Sequence, residues 1–523
     1  MTSRRRLALL VPAMALVGLS VFEVSSAQHA TAAPAAVVDG GGVVLSHRAS
    51  SDTGALGVTF GFESNTLVGK SYEDEFPTYN WPMYEAGAGS TGQFWLNYVE
   101  ELVSAGVDYV AVDTRGYLPG SSVPNEGGDP RELTELVTAI NEAGDAGKLK
   151  IAALDDTPAS MTDKMNQTLH HSSELPFDFS VTTGSGNGGF QYLWNNDLEA
   201  FFQAVPSSML YKVDGQPLIY LWSTNSPDFT NQGNGNSARY LSYVRGQAEA
   251  GFGENPYFVV DDSWIKNDPT VAPLVQGEDD WFGVDPSYTS QPFDGRAFGV
   301  TVPSFEEVNA TTDTVIDPNH GAQLITGLEN TVGVGDDLTL VEGFTDVGEN
   351  AALWRTEPAP YGTTHRDYPN QDINILRRYS DAPFPATLTV QAETADLVAG
   401  SIANPWEIYR NDLGVQVTTD VGGGWNVGAI TGGENLTWEQ LPMQNTDDLK
   451  IRVASPLAGS KQLRFVIDGV AGPTISVPDT GGWQSWQTID AGTFQFKAGT
   501  YHTVQLQFLT SGFNVNWWQA VNS

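Results

Sequence analysis

The sequence predicts an α/β protein in which a (β/α)8, TIM-like barrel is followed by an all-β jelly-roll sandwich. Two observations support this fold class. Between Leu56 and Tyr379, short runs of β-branched and apolar residues alternate with helical patterns, as the strands and helices of such a barrel do. From residue 388 onward, apolar runs are separated by turn signals about every 8–12 residues, with almost no helical periodicity, which is typical of a sandwich.

Composition and charge limit the classes of partner. The 523 residues are 40% hydrophobic and 11% aromatic, enough to bury large cores, so a mainly disordered chain is excluded. With 25 Lys and Arg against 63 Asp and Glu, the net charge is −38, which repels nucleic acid and anionic membrane surfaces. The chain has no cysteine, which excludes disulfides and thiol catalysis. We expect a monomer that binds an uncharged polysaccharide, with neither nucleic acid nor membrane as a partner.

Residues 1–33 are predicted to be a cleaved export signal. The basic run Arg4–Arg6 precedes an apolar stretch from Leu7 to Phe22, and Ala30-Thr31-Ala32 fits the A-x-A cleavage pattern. The apolar stretch is shorter than the ~20 residues that cross a bilayer. We therefore expect a secreted, extracellular protein.

Residues 34–380 are predicted to form the barrel. The strand candidates are Leu56–Phe62, Tyr109–Val112, Lys150–Leu154, Pro217–Trp222, Tyr257–Val260, Trp281–Val284, Phe298–Val302 and Leu338–Phe344. Stretches 94–105, 133–143 and 238–250 have the apolar stripe of amphipathic helices. A doubly wound open sheet is the rival fold, but no glycine-rich phosphate motif follows an early strand.

Several predicted strands end at acidic residues. The carboxyl ends of barrel strands form the active-site face, so these acids would line one aromatic-walled cleft, as in a sugar-binding site. Only one member of an adjacent pair such as Asp155 and Asp156 can point into the barrel. The predicted substrate-binding residues are Glu63, Asp113, Arg115, Asp155, Asp261 and Trp264.

The strongest chemical signal is the segment L-V-E-G-F-T-D-V-G-E-N, residues 340–350, at the end of the last predicted strand. Asp346 and Glu349 are three residues apart and can reach the same cleft from a tight loop. Glycoside hydrolysis requires one carboxylic acid to protonate the leaving oxygen and a second carboxylate as base or nucleophile. The segment therefore predicts a catalytic pair.

The same segment resembles the N-D-[FY]-G-E-S motif of glycoside hydrolase family 71 and, more loosely, the N-E-W-x-E-G motif of family 99. The resemblance implies that Asp346 is the base-side residue and Glu349 the general acid. The segment departs from family 71 at Thr345, Val347 and Asn350. These departures indicate a distant relative and leave the substrate open.

Residues 381–387 are predicted to be a short linker, because Pro383 and Pro385 break the barrel pattern, and residues 388–523 the sandwich. Its strand candidates are Leu388–Ala392, Val415–Val417, Lys450–Ala454, Gln462–Ile467, Thr474–Val477, Trp486–Ile489, Gly492–Phe496 and Thr503–Leu509.

Four segments of the sandwich resemble family 6 carbohydrate-binding modules. They are G-G-G-W-N-V-G at 422–428, L-K-I-R-V-A-S at 449–455, T-G-G-W-Q-S-W at 480–486 and G-F-N-V-N-W at 512–517. The resemblance implies that Trp425 and Trp483 stack on sugar rings and that Asn514 hydrogen-bonds the ligand; aromatic faces and fixed amides suit sugars. It also implies a structural Ca²⁺, for which Glu393 is the candidate ligand. Trp486 and Trp517 are expected in the sandwich core.

Together these features predict a secreted glycoside hydrolase acting on a polysaccharide, with endo action on α-linked glucan or mannan-type polymers as one form of it. Catalysis needs no cofactor in this interpretation, since the seven histidines show no zinc-binding spacing. The alternative is a non-catalytic secreted polysaccharide-binding protein. A polysaccharide lyase is a third possibility, which the strongly acidic charge disfavours because lyases act on uronates.

Overall fold

A computed structural model of the chain provides the structure. The described residues are 54–61, 91–120, 128–163, 165–166, 172–173, 175–181, 189–225, 227–280, 290–306, 315–319, 321–346, 351–354, 371–380, 386–400, 405–406, 413–421, 425–443, 446–495 and 500–522. The statements below concern these residues.

The N-terminal region is built on a nearly closed sheet of eight parallel strands. They are β1 (Ala55–Phe60), β2 (Tyr109–Thr114), β3 (Lys150–Asp155), β4 (Gln216–Leu221), β5 (Tyr257–Asp261), β6 (Gly277–Asp279), β7 (Arg296–Thr301) and β8 (Leu338–Val341). Each strand pairs with the next in sequence, except β6 with β7, and β8 pairs with β1. A doubly wound sheet reverses its strand order at a switch point, and this sheet does not.

Between β6 and β7, side chains fill the gap in the sheet. The Phe298 ring lies where a Cβ on Gly277 would be, 2.7 Å from the ring's Cζ atom. The edge of β7 that is not paired with β8 pairs with the short antiparallel strand Gln291–Phe293. The ring of strands is therefore barrel-like and nearly closed.

Helices cover the outside of this sheet. They are α1 (Thr91–Ala105), α2 (Leu133–Ala143), α3 (Phe190–Asn196), α4 (Leu198–Ala204), α5 (Asn236–Phe252), α6 (Ser263–Asn267), α7 (Ala322–Asn330) and α8 (Gln371–Tyr379). Short helical turns lie at Pro130–Glu132, Ala159–Asp163, Pro269–Leu274 and Val332–Val334, and short paired strands at Phe177–Asp178 with Phe229–Thr230, Lys212–Val213 with β4, and Phe305–Glu306 with Val315–Ile316. The apolar stripe of α1 places Trp95, Tyr98 and Leu102 against the sheet, fully buried.

Seven of the eight predicted barrel strands overlap observed strands. The sixth prediction, Trp281–Val284, lies outside the described residues, and the observed sixth strand is β6, Gly277–Asp279. Its sequence is Gly-Glu-Asp, which contains no apolar run that would reveal a strand.

The C-terminal region is a two-sheet β-sandwich. Its strands are β9 (Thr387–Gln391), β10 (Leu397–Ala399), β11 (Val415–Val417), β12 (Trp425–Val427), β13 (Asn435–Met443), β14 (Thr446–Ala454), β15 (Lys461–Ile467), β16 (Val470–Ala471), β17 (Ile475–Val477), β18 (Trp486–Gln495), β19 (Thr500–Phe508) and β20 (Asn514–Asn522). One sheet has the order β11-β12-β20-β14-β18 with β9 on β20. The other has the order β10-β13-β19-β15-β16 with β17 on β15.

The sandwich core corrects two predictions. Trp518, rather than Trp517, is fully buried and lies edge-on to Trp438 and Phe465, while Trp486 and Trp517 are only partly buried. The predicted strands Trp486–Ile489 and Gly492–Phe496 form a single strand, β18, whose pairing with β14 is interrupted by a register shift. A bulge inserts one residue and hides the continuity from the alternating pattern.

Helix α8 belongs to the barrel region and also contacts the sandwich. The Gln371 amide donates to Glu439 Oε2 at 3.0 Å, and the Asn374 amide donates to the Glu439 carbonyl at 2.7 Å. The Arg378 guanidinium lies 5.5 Å from the centre of the Tyr501 ring. Residues 381–385 of the predicted linker lie outside the described residues, and Thr387 already begins β9.

Candidate functional site

The inner face of the barrel-like sheet is filled by apolar side chains. Alternation along the strands places Tyr109, Tyr220, Phe298 and Leu340 in one buried cluster. The hydroxyl groups of Tyr109 and Tyr220 are 2.7 Å apart. Gly57 is required opposite them, since a Cβ there would sit 2.1 Å from the Tyr109 ring. The interior is therefore packed, and a ligand can enter only at a rim.

At the carboxyl end of the sheet, the next inward positions are mostly polar. Continuing the alternation of the buried cluster gives Asp113, Asp156, Trp222, Asp261, Asp279 and Glu342, one each from β2, β3, β4, β5, β6 and β8. We call this set of six residues the mouth layer. Five carboxyl groups and one indole thus converge from neighbouring strand ends, where barrel enzymes place their active sites.

One side of the mouth layer is an ion-pair cluster. Arg115 lies between two carboxylates: its Nη2 atom is 3.0 Å from Asp113 Oδ2, and its Nε atom is 3.0 Å from Asp156 Oδ2. A Cβ on Gly128 would sit 2.7 Å from the Arg115 side chain. The arginine is thus held in place by the two carboxylates and by the backbone at Gly128, which packs closely against its side chain.

Glu342 follows β8 at the mouth. Burial, together with the nearby carboxylates of Asp346 and Asp113, raises its pKa to about 8. Below that pH the side chain keeps its proton, which is the state a general acid needs. The loop that follows is fixed to β1, because the Gly343 amide donates to Thr59 Oγ1 and the Thr345 hydroxyl donates to the Gly61 carbonyl, both at 2.7 Å.

Asp261 and Asp279 lie side by side on the neighbouring strands β5 and β6, where they are paired in register. They are 5% and 3% exposed. Burial raises the pKa of Asp261 to about 6 although hydrogen bonds from Ser263 oppose the shift. Burial and the Asp261 charge raise the pKa of Asp279 well above its ordinary value. Burial therefore favours the protonated form of both carboxyl groups.

The structure brings four of the predicted barrel residues to the mouth: Asp113, Arg115, Asp261 and Asp346. Asp346 is partly buried and lies close enough to raise the pKa of Glu342. Glu349 and Glu63 lie outside the described residues. Their roles stay predictions.

Asp155 was predicted in the mouth, and the structure corrects this to Asp156. The side chain of Asp155 lies on the helix side of β3, where it accepts from the Ser160 hydroxyl at 2.7 Å. Burial raises the pKa of Asp155 to about 7. Burial and the charge of Asp155 also raise the pKa of Asp197. The prediction was wrong by one residue, and in a β-strand a shift of one residue places the side chain on the opposite face of the sheet.

Trp264 was predicted to contact substrate, but it is fully buried. Its ring stacks on Tyr240 and lies edge-on to Phe179, and its Nε1 atom donates to the Trp222 carbonyl at 2.7 Å. The aromatic residue of the mouth layer is therefore Trp222, which is partly exposed.

Sequence reasoning missed Glu342 and Asp279 as site residues, and it selected Asp155 instead of Asp156 and Trp264 instead of Trp222. A signal existed for three of the four missed residues. Asp156, Trp222 and Glu342 each stand two positions after an inward apolar residue of a predicted strand. The sequence contained no such signal for Asp279, because β6 was not recognised as a strand.

In the sandwich, two exposed tryptophans flank a polar side chain. Trp483 is 46% exposed, and the Asn514 amide donates to its carbonyl at 2.9 Å. Trp406 is 38% exposed. A Cβ on Gly428 would lie 2.9 Å from the Trp406 ring and 3.1 Å from Asn514 Oδ1. Trp406, Trp483 and the buried Asn514 thus lie close together, and we call this group of residues the module cleft.

Two further predictions about the sandwich were made on Trp425 and Glu393. Trp425 packs against the sandwich core and is partly exposed, and its stacking role stays a prediction. Glu393 is buried, and no group of three or more Asp, Glu, His or Cys side chains in the described residues is arranged to hold a metal ion. The Ca²⁺ stays a prediction.

Two family models match the chain. Residues 52–397 match the family described as "Domain of unknown function (DUF5010)", and residues 410–520 match "Carbohydrate binding module (family 35)". The C-terminal sandwich is therefore a carbohydrate-binding module, as predicted, with family 35 matched where the sequence motifs resembled family 6. In the described part of the chain, no helix combines the length and apolarity that crossing a membrane requires.

Among curated proteins, the clotting factor G alpha subunit of Tachypleus tridentatus is 34% identical over 116 residues, which is 21% of this chain and 17% of that protein. Similar solved structures include the CBM6cm-2 module of Cellvibrio mixtus lichenase 5A in complex with cellotriose (31% identity, 26% of this chain, 97% of that one, TM-score 0.22). A β-1,3-glucan-binding family 6 module from Bacillus halodurans also matches, with 31% identity over 26% of this chain and 95% of that one and a TM-score of 0.21.

Proposed function

The chain belongs to the DUF5010 family, and from that premise we propose that it is a secreted glycoside hydrolase whose (β/α)8 barrel cleaves a polysaccharide held by its carbohydrate-binding module. The observation that carries the proposal is the mouth layer, where five carboxyl groups and a tryptophan converge in a chain that also contains such a module. An α-linked glucan or a mannan-type polymer is the proposed substrate, with endo action.

The proposed chemistry uses the segment after β8. Glu342, with a pKa raised to about 8, holds the proton that the leaving oxygen requires, and Asp346 acts as the base-side carboxylate. Glu349, which the motif resemblance implies as the acid, is the other candidate for the proton donor. The Asp113–Arg115–Asp156 cluster, at the ends of β2 and β3, positions substrate hydroxyl groups.

Asp346→Asn is expected to abolish sugar release, because the amide cannot act as a base or nucleophile. The measurement is reducing-end formation from a panel of polysaccharides, with product chromatography. Asp337→Asn, at the amino end of β8, serves as a control for the loss of a carboxylate in the same strand region. Full activity of the Asp346 variant would overturn its catalytic role.

A second candidate function is binding without catalysis. It is favoured by the module cleft, which alone suffices to bind sugar. It predicts adsorption to a polysaccharide with no reducing ends from any polymer of the panel, and no increase in absorbance near 235 nm, which would instead identify a lyase.

Trp483→Ala is expected to weaken adsorption to insoluble polysaccharide by about tenfold or more, because an exposed indole stacks on the C–H face of a sugar ring. Val470→Ala is the control, since Val470 is 72% exposed on the other sheet of the sandwich. Pull-down isotherms measure both. Equal adsorption of the two variants would move the binding surface away from the module cleft.

A further inference from the structure

Three neighbouring strand ends place one aromatic and two acidic side chains side by side. In β4 and β5, Leu221 pairs with Val260, so the next residues, Trp222 and Asp261, continue as neighbours. In β5 and β6, Asp261 pairs with Asp279. Trp222, Asp261 and Asp279 therefore follow one another along the mouth, between a quarter and half of the ring away from β8.

The backbone of Trp222 is fixed by three hydrogen bonds. Its amide donates to the Asp155 carbonyl at 3.1 Å, and its carbonyl accepts from Trp264 Nε1 at 2.7 Å and from the Thr157 hydroxyl at 2.8 Å. The ring stays partly exposed at the rim. A fixed aromatic face loses little conformational entropy when a ligand stacks on it.

Asp279 provides an independent observation. It is 3% exposed, and its carboxyl group makes no hydrogen bond within the described part of the chain. Buried polar side chains nearly always have a partner. On Asp261, the Oδ1 atom accepts from the Ser263 amide at 3.0 Å, which leaves Oδ2 for a ligand. These oxygen atoms are available to the hydroxyl groups of a molecule lying against Trp222.

We infer that Trp222, Asp261 and Asp279 form a subsite for one uncharged hexopyranose ring, across the mouth from Glu342; this inference rests on the proposed function. The ring's C–H face lies on the indole, and its hydroxyl groups hydrogen-bond the two carboxyl groups. A uronate is excluded, because its carboxylate would face two acids. A protonated carboxyl group can both donate to and accept from sugar hydroxyl groups.

The test measures binding by calorimetry in the full chain carrying Trp483→Ala, which disables the module cleft, and Asp346→Asn, which prevents turnover. The probes are maltohexaose, mannohexaose and hexagalacturonate. Trp222→Ala is expected to weaken binding of a neutral hexaose about tenfold and Trp222→Phe less than about threefold, since phenylalanine keeps an aromatic face. Asp279→Asn is expected to weaken it severalfold with the fold retained, because the amide is isosteric.

Unchanged affinity of Trp222→Ala, tighter binding of hexagalacturonate than of the neutral probes, or no binding of either neutral probe would each overturn the subsite. Circular dichroism of each variant checks that it is folded. The proposed function is tested separately by reducing-end release in the chain without Asp346→Asn. Binding that depends on Trp222 without any release would retain the subsite and reject hydrolysis. Release of reducing ends, together with unchanged binding of the neutral hexaoses by Trp222→Ala, would retain hydrolysis and reject the subsite.

Discussion

Glu342→Gln is expected to reduce sugar release by about 100-fold or more, as the loss of a general acid does, and to raise the melting temperature at alkaline pH. Since the pKa of Glu342 is about 8 in the folded protein and 4.5 for an unperturbed glutamate, the folded protein between these pH values holds a proton that the unfolded chain releases. The contribution of this residue to stability is fully present below about pH 4.5 and is lost as the pH rises through about 8. Glutamine stays neutral throughout.

Melting curves at pH 4 and pH 9 test the stability part, with a higher midpoint for the variant only at pH 9. Glu249→Gln, at an exposed position on α5, is the matched control and should change neither activity nor midpoint. Glu349→Gln distinguishes the two candidate acids. If that variant loses activity and Glu342→Gln does not, the proton donor is Glu349, and Glu342 has no catalytic role.

Gly343→Ala is expected to have the largest effect on stability, about 3 kcal/mol or more, because two penalties add. Gly343 has a φ of 90°, which costs an L-residue about 1 kcal/mol. A Cβ there would also sit 2.4 Å from the Ala351 carbonyl oxygen. Relief of this collision would displace the neighbouring Glu342, and a shift of about 1 Å can cost about 100-fold in rate.

Gly335→Ala separates the two penalties. Gly335 has nearly the same φ, 93°, but nothing lies within 4 Å of its added Cβ. Urea unfolding should show a loss of only about 1 kcal/mol for this variant, with activity retained. Equal losses of stability in the two variants would mean that the contact with Ala351 is unimportant.

The sequence predicted much of the barrel-like sheet, because buried parallel strands are continuous apolar runs bounded by acids. Asp113 and Asp261 were predicted at the mouth for that reason, and the structure places them there. The sixth strand could not be found, since Gly277–Asp279 is too short and too polar to produce an apolar run.

Other errors arise from the period of two along a strand. Asp155 and Asp156 are adjacent and chemically identical, and only the pairing register decides which of them faces inward. Trp222 and Trp264 were both visible near strand ends. The burial of Trp264 between Tyr240 and Phe179 depends on contacts between distant segments, which no local pattern contains.

In the module, motif resemblance located Trp483 and Asn514, which share the module cleft. Trp406 lies outside every quoted motif and was missed. It joins the cleft through its proximity to Gly428, a contact made across the fold.

Helix α8 has a consequence for how an insoluble fibre would be processed. Gln371 and Asn374 both hydrogen-bond Glu439 and so hold the barrel region and the sandwich together. The distance between the module cleft, which would bind the fibre, and the mouth layer, which would cleave it, would therefore be fixed. Under the proposed function, product length would reflect that spacing, and cutting the polypeptide between the two halves would broaden the range of fragment sizes.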